Sequence, residues 1–204
     1  MGEKSKGFFK YFRELSIVVV GIAITFTISD LISNRNERKD TQRYLDAVKL
    51  ELEDNLATLG DEIANYKQTL AFSNYLNGTR REDLNTDSIN KYKYVFGNLY
   101  APTYNTSSFE MLKTSGTIRL MKDNVLMTSI MKSYILMNET KNAQDKYLQR
   151  KMDELFNVVL SNDDLNVDIL NPKFKRLFNF YALSVHISFQ ECEEQIKQTL
   201  ELFK

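Results

Sequence analysis

Residues 13–39, RELSIVVVGIAITFTISDLISNRNERK, decide how this chain is organised. From Leu15 to Ile32 the run is apolar, and at about 1.5 Å per residue a helix over it covers roughly 27 Å, close to the ~30 Å hydrocarbon core of a bilayer. Ser16, Thr25, Thr27 and Ser29 dilute the run, but such hydroxyls can bond back to their own helix. Phe8, Phe9, Tyr11 and Phe12 precede it, mixed with Lys4, Lys6, Lys10 and Arg13. That mixture is an aromatic and cationic interface belt, which extends the effective span. A signal peptide is the rival reading, with Thr27-Ile28-Ser29 as a poor small-residue cleavage site. The uncleaved anchor is preferred, because the helical pattern resumes after Ser33 with no Gly or Pro between. Lys and Arg are balanced on the two sides, so the positive-inside rule sets no orientation.

Two acids bound this stretch. Asp30 falls at the exit, where water reaches it. Glu14 stands at the start, where a carboxylate can snorkel to the interface or favour the positive end of the helix dipole. The sharper alternative for Glu14 is a contact with a cation on another membrane subunit, since charge in a membrane is usually paired. Gly21, Ala23 and Thr25 form a small-residue stripe, though Gly21-x-Ala23 lacks the i, i+4 spacing of a strong helix-packing motif. Glu14, Gly21 and Asp30 are therefore the candidate membrane or partner contacts.

The 204 residues carry no net charge, with 43% hydrophobic and 26% charged residues, which suits one packed domain plus an anchor. The balance argues against nucleic acid as the main partner. Two prolines and seven glycines are few breakers and favour long helices over many short strands. The single cysteine, Cys192, allows no intrachain disulfide and cannot build a zinc site alone. The single histidine, His186, lies six residues before it, roughly 120° away around a helix. Ordinary packing is the expectation for both.

Beyond the anchor, Leu45, Val48, Leu52, Leu56, Leu59, Ile63, Tyr66 and Leu70 recur at threes and fours, the mark of one apolar helical face. Glu51, Glu53, Asp54, Asp61, Glu62 and Lys67 read as the solvated face. Asn77-Gly78 stops this helix. A shorter helix, capped by Asp87 or Ser88, is expected to carry Ile89, Tyr92, Phe96 and Leu99. Ser107 to Glu110 has the capping-box pattern and opens a short helix with Phe109, Met111 and Leu112. Gly116 ends it, expected in the left-handed conformation of a C-cap, and Thr117–Met121 reads as a brief extended or turn segment. Asp123 can cap a long helix near 124–160, whose seam runs Leu126, Ile130, Tyr134, Met137, Leu148, Met152, Leu155 and Val159. Its polar middle, Asn138, Lys141, Asn142 and Gln144, reads as a solvent-facing stretch, with a polar layer facing a partner as the alternative. Asn171-Pro172 starts a last helix lined by Phe174, Leu177, Tyr181, Val185, Ser188, Cys192, Ile196, Thr199 and Phe203.

The chain contains no phosphate loop, GxGxxG, GxSxG or HExxH. Asp163, Asp164 and Asp168 lack the spacing, glycine and closing glutamate of a calcium loop, so no metal and no cofactor are expected. Asn77, Asn105 and Asn138 each begin a glycosylation pattern, which is frequent by chance in an Asn-rich chain.

Two blocks carry a family resemblance. In Tyr11 to Lys39, Glu14, Val20-Gly21-Ile22 and Asn36-Glu37-Arg38-Lys39 are similar to the opening of DUF6090, a family of unknown function common in Bacteroidota. Leu15 stands where members have Ile, and Asp30-Leu31 where members often have Asn-Trp. In Ser108 to Leu126, Phe109, Leu112, Lys113, Ser115, Gly116, Ile118 and Lys122 fall in register with a second family segment. Phe109, Leu112, Ser115 and Gly116 are taken as its structural motif. With similar spacing between the blocks, the resemblance covers nearly the whole chain. It implies a bacterial inner-membrane anchor with a cytoplasmic N-terminus and a helical periplasmic domain, and it supplies no reaction.

The expectation is an all-α protein whose N-terminal transmembrane helix continues into an elongated antiparallel helical bundle. Residues 1–13 would be a cytoplasmic basic-aromatic stub, 14–33 the transmembrane helix and 34–204 the periplasmic bundle. The expected role is a non-enzymatic subunit or scaffold of an envelope complex. Its partners would be the lipid bilayer and other membrane or periplasmic subunits, or further copies of itself. A periplasmic ligand-sensing bundle is the alternative; with only about 13 residues inside, too few for an output domain, it would have to signal through a partner. An enzyme with an unfamiliar site ranks last.

Overall fold

The computed structural model describes residues 3–83, 86–92, 94–95, 98, 101–161 and 175–203, with side chains described from residue 16 onward at most of these positions. Helix α1 is a single helix, Glu3–Gly78, of 76 residues, roughly 114 Å long at 1.5 Å per residue. It contains no proline and passes 33–34 without interruption. Between Ile17 and Ile32 it has no cover from the described residues. Every large apolar side chain from Ile17 to Ile32 is at least half exposed, and the stretch is long and apolar enough to cross a membrane. Thr25 and Thr27 donate to the carbonyls of Gly21 and Ala23, both at 2.8 Å, so their hydroxyls are satisfied within the helix.

The later part of α1 is one wall of a bundle. Val48, Leu52, Leu59, Tyr66, Phe72 and Leu76 are buried along it. After α1 the chain returns toward the anchor end through short pieces. Among the described residues these include a 3-10 turn (Arg81–Asp83), helix α2 (Thr86–Lys91), helix α3 (Ser107–Thr114) and a second 3-10 turn (Thr117–Leu120). Helix α4 (Asn124–Ser161) then climbs parallel to α1. Tyr134 bonds Glu51 and Gln144 bonds Glu62, ten or eleven residues farther along each helix. A π-helical turn (Leu177–Tyr181) leads into helix α5 (Ala182–Glu201), which descends. Phe178 meets Phe72 edge-on at 5.0 Å, and Phe189 meets Tyr66 at 4.9 Å. Near the foot of the bundle Thr199 meets Ser129 and Ser133.

Helix α5 packs against both α1 and α4, whereas α1 and α4 are joined across the core by long side chains such as Tyr134 and Gln144. The described residues contain helices and turns and no strand. With no Trp in the chain, aromatic rings fill the interior. Phe109 stacks on Tyr134 at 4.1 Å, and Phe72 also touches Tyr92 at 5.1 Å. Each such ring, fully buried, contributes about 1.5–3 kcal/mol.

Several local readings need correction. Glu51 is only 3% exposed and Glu62 is buried, so α1's solvated face is narrower than the charge pattern suggested; Glu53, Asp54, Asp61 and Lys67 do face water. The Ser107 capping box does not form: Thr106 is the N-cap of α3, with no side-chain cap bond. Of the two alternatives for Thr117–Met121, the turn holds, as a 3-10 turn over Thr117–Leu120. Met152 is 53% exposed, out of phase with the buried side of α4. In the polar middle of α4, Asn138 and Asn142 face water, Lys141 is half-buried and Gln144 is buried. Helix α2 ends at Lys91, before Tyr92. Asp123 caps α4 as expected, its carboxylate accepting from the amides of Val125 and Leu126 at 3.0 and 2.9 Å. The acidic stretch 162–171, the Asn171-Pro172 start, Phe174, Phe96 and Leu99 lie outside the described residues.

Candidate functional site

Of the three anchor residues singled out by sequence, Glu14 lies on α1, but its side chain is outside the described residues. Gly21 is exposed and a Cβ placed on it would touch nothing, leaving room for a close neighbour. Asp30 is exposed. Helical geometry puts Glu14 and Gly21, seven residues apart, on one face, and Asp30, nine beyond Gly21, on the opposite one. The three do not converge into a single contact.

The second block does converge. Phe109 and Leu112 are buried on α3. Gly116 takes a left-handed conformation with φ 71°. The Ser115 hydroxyl donates to the carbonyl of Leu112 at 3.0 Å and bonds the Thr117 hydroxyl at 2.7 Å. Together they turn the chain from α3 into the approach to α4.

Glu51, which sequence placed in solvent, organises this corner. Its carboxylate accepts the amide N–H of Ser108 at 2.7 Å and of Phe109 at 3.3 Å. It also accepts the Tyr134 hydroxyl at 2.5 Å. A carboxylate at a helix N-terminus meets both open amides and the positive end of the dipole. Here it comes from another helix, so a single residue joins α1, α3 and α4. One turn along, Asn55 donates to the carbonyl of Asn105 at 2.7 Å and accepts its N–H at 2.9 Å.

Farther along the bundle lies a second polar group. Glu62 accepts from the Gln144 amide at 3.2 Å, and burial raises its carboxyl above the usual range despite that bond. Lys151 is 2% exposed. Its ammonium donates to the carbonyls of Val95 and Asn98, the latter at 2.6 Å, and has no ion pair among the described residues. Burial lowers it to about 8. Glu62, Lys151, Tyr66 and Tyr147 line a cavity of about 20 Å³, room for about one water molecule. The hydroxyls of Tyr66 and Tyr147 find no protein partner among the described residues.

A groove of about 830 Å³ runs between α3 and α4, lined by Phe109, Lys113, Ile118, Met127, Met131 and Ile135. Its size is within the range of small-molecule sites. Cys192 is fully buried, and burial pushes its thiol up to about 11, so at neutral pH it is a packed thiol and not a thiolate. Among the described residues no group of three His, Cys, Asp or Glu stands close enough to hold a metal ion.

Sequence missed Glu51, Asn55 and Glu62 because their type outweighed their phase. They continue the spacing of Val48, Leu59 and Tyr66 and are buried with them. That phase was the available signal.

No family model, no curated protein and no solved structure matches this chain.

Proposed function

We propose that this chain is a non-enzymatic, single-pass subunit or scaffold of an envelope complex, anchored by the 14–33 stretch and presenting the bundle to its partners. The observation that carries the reading is the bare apolar length of α1. A stretch of that size left uncovered by its own chain calls for lipid or another subunit. On this reading the anchor lies in a bacterial inner membrane, with the N-terminus cytoplasmic and the bundle periplasmic. The partners are other membrane or periplasmic subunits, or further copies of the chain, and not nucleic acid. Membership of DUF6090 is part of the proposal and rests on the two sequence blocks alone. Extraction from native membranes followed by native mass measurement tests it. Co-purifying subunits or a homo-oligomer support it, and a lone monomer rejects it.

The groove between α3 and α4 favours a second reading, a periplasmic sensor that signals through a partner. A ligand filling that groove would raise the melting temperature of the whole protein. A thermal-shift screen without a hit would remove this reading and leave the first.

A further inference from the structure

The foot of the bundle has a composition that the core does not explain. Asp123 caps α4 beside α1, and a cavity of about 610 Å³ there is lined by residues that include Glu37, Arg38, Leu45, Leu120, Lys122 and Leu126. On the unbroken α1, residues 37–45 lie only four to twelve positions past Ser33, about 6–18 Å beyond the end of the apolar run. The headgroup layer of a bilayer is roughly 5–7 Å deep on each side. The foot of the bundle therefore stands at or just above the layer that the anchor would cross.

Its side chains suit that place. Residues 34–43 and 117–123 hold six cations, Arg35, Arg38, Lys39, Arg43, Arg119 and Lys122, against three carboxylates. Of those three, Asp40 is taken by Arg43 at 3.7 Å, Asp123 by the cap of α4, and Glu37 lines the cavity beside Arg38 with no ion pair among the described residues, so the cations remain in excess. Arg35, Arg38, Arg119 and Lys122 form no ion pair among the described residues. Beside them Leu120 and Val125 are exposed, Val125 by 67%. Exposed apolar groups ringed by unpaired cations, at headgroup height, match an interface of phosphodiesters over acyl chains.

We propose that the Thr117–Asp123 turn and the start of α4 form a seat for phospholipid headgroups of the bilayer that holds the anchor. Arg35, Arg38, Arg119 and Lys122 meet the phosphates, while Leu120 and Val125 enter the interface. The seat fixes how the bundle stands on the membrane. It rests on the anchor reading above.

The test uses the full chain in nanodiscs of phosphatidylcholine, with or without phosphatidylglycerol. A fluorophore is placed on Leu120→Cys, on Ile24→Cys in the anchor, or on Phe156→Cys, about 45 Å farther out along α4. The native thiol of Cys192 is buried and does not compete for the label. Quenching is then measured at Leu120 and Phe156 with lipids carrying a nitroxide near the headgroup, and at Ile24 with lipids carrying one near the end of the acyl chain. The seat predicts quenching at Leu120 and none at Phe156, stronger with phosphatidylglycerol. Arg119→Gln and Lys122→Gln should each shift the seated-to-lifted ratio by roughly fivefold on the anionic discs. Quenching at Ile24 with none at Leu120 overturns the seat and leaves the anchor. Absence of quenching at Ile24 overturns both.

Discussion

One helix passes through two surroundings, and the contrast shows what each demands. Between residues 16 and 33, two polar side chains of α1 are satisfied within the helix: Thr25 and Thr27 return their hydroxyls to carbonyls one turn back. Between 44 and 77 the same helix sends several of its polar groups to other elements. Glu51 takes the start of α3, Asn55 clasps Asn105, Glu62 meets Gln144, and Ser73 and Asn77 both bond Asn179. An apolar solvent offers no external partner, so polar groups there are tolerated when satisfied locally. In a bundle, buried polar groups must be satisfied by other elements, and each such bond specifies which element sits where.

Substitutions can break this contrast. Leu52→Ala, at a fully buried position, should cost about 2–5 kcal/mol of bundle stability. Ile24→Ala, on the uncovered stretch, should leave bundle unfolding unchanged. Denaturant titration of the full chain in detergent micelles reads both; equal losses would mean that the two lengths of α1 are not separately solvated. Glu51→Ala removes three hydrogen bonds from the α3 corner and should cost about 3 kcal/mol. Amide exchange in that variant should rise first at Ser108 and Phe109, and a uniform rise would reject the capping role.

Lys151 sharpens the contrast through pH. Folding lowers it from the usual 10.5 to about 8, so between those values the unfolded chain holds a proton that the native one has released. Stability therefore rises as pH climbs from 8 toward 10.5, by up to about 3 kcal/mol for this group. The neutral amine keeps two N–H donors for the carbonyls of Val95 and Asn98. Subtracting the pH profile of Lys151→Met from that of the native chain isolates the effect, and a flat difference would remove it. Gly116→Ala should cost about 1 kcal/mol. The added Cβ would meet no atom, so the whole cost comes from the left-handed backbone. An unchanged melting temperature would show that the turn relaxes freely.

The all-helical class, the apolar start and the phase of most large apolar residues, Met152 excepted, were legible because periodicity and run length are local properties. Asp123 was legible as a cap for the same reason: its partners are two and three residues away. Glu51 was not, because its partners lie 57, 58 and 83 residues along the chain. Gln144 was misread for the same cause. A carboxylate or amide in phase with an apolar face is a sign of such a distant partner, but its identity comes only with the fold. The charged foot of the bundle was invisible in sequence, since it joins residues 34–43 to 117–123.

The central claim is that α1 carries the chain without a break from the apolar stretch into the bundle. Spin labels at Ile28→Cys and Asp61→Cys, both exposed, lie 33 residues apart on it. Pulsed dipolar spectroscopy on the full chain in nanodiscs should give one narrow distance near 50 Å, the rise of 33 helical residues. A broad distribution, or one centred well below that value, would place a hinge between the two segments and contradict the account.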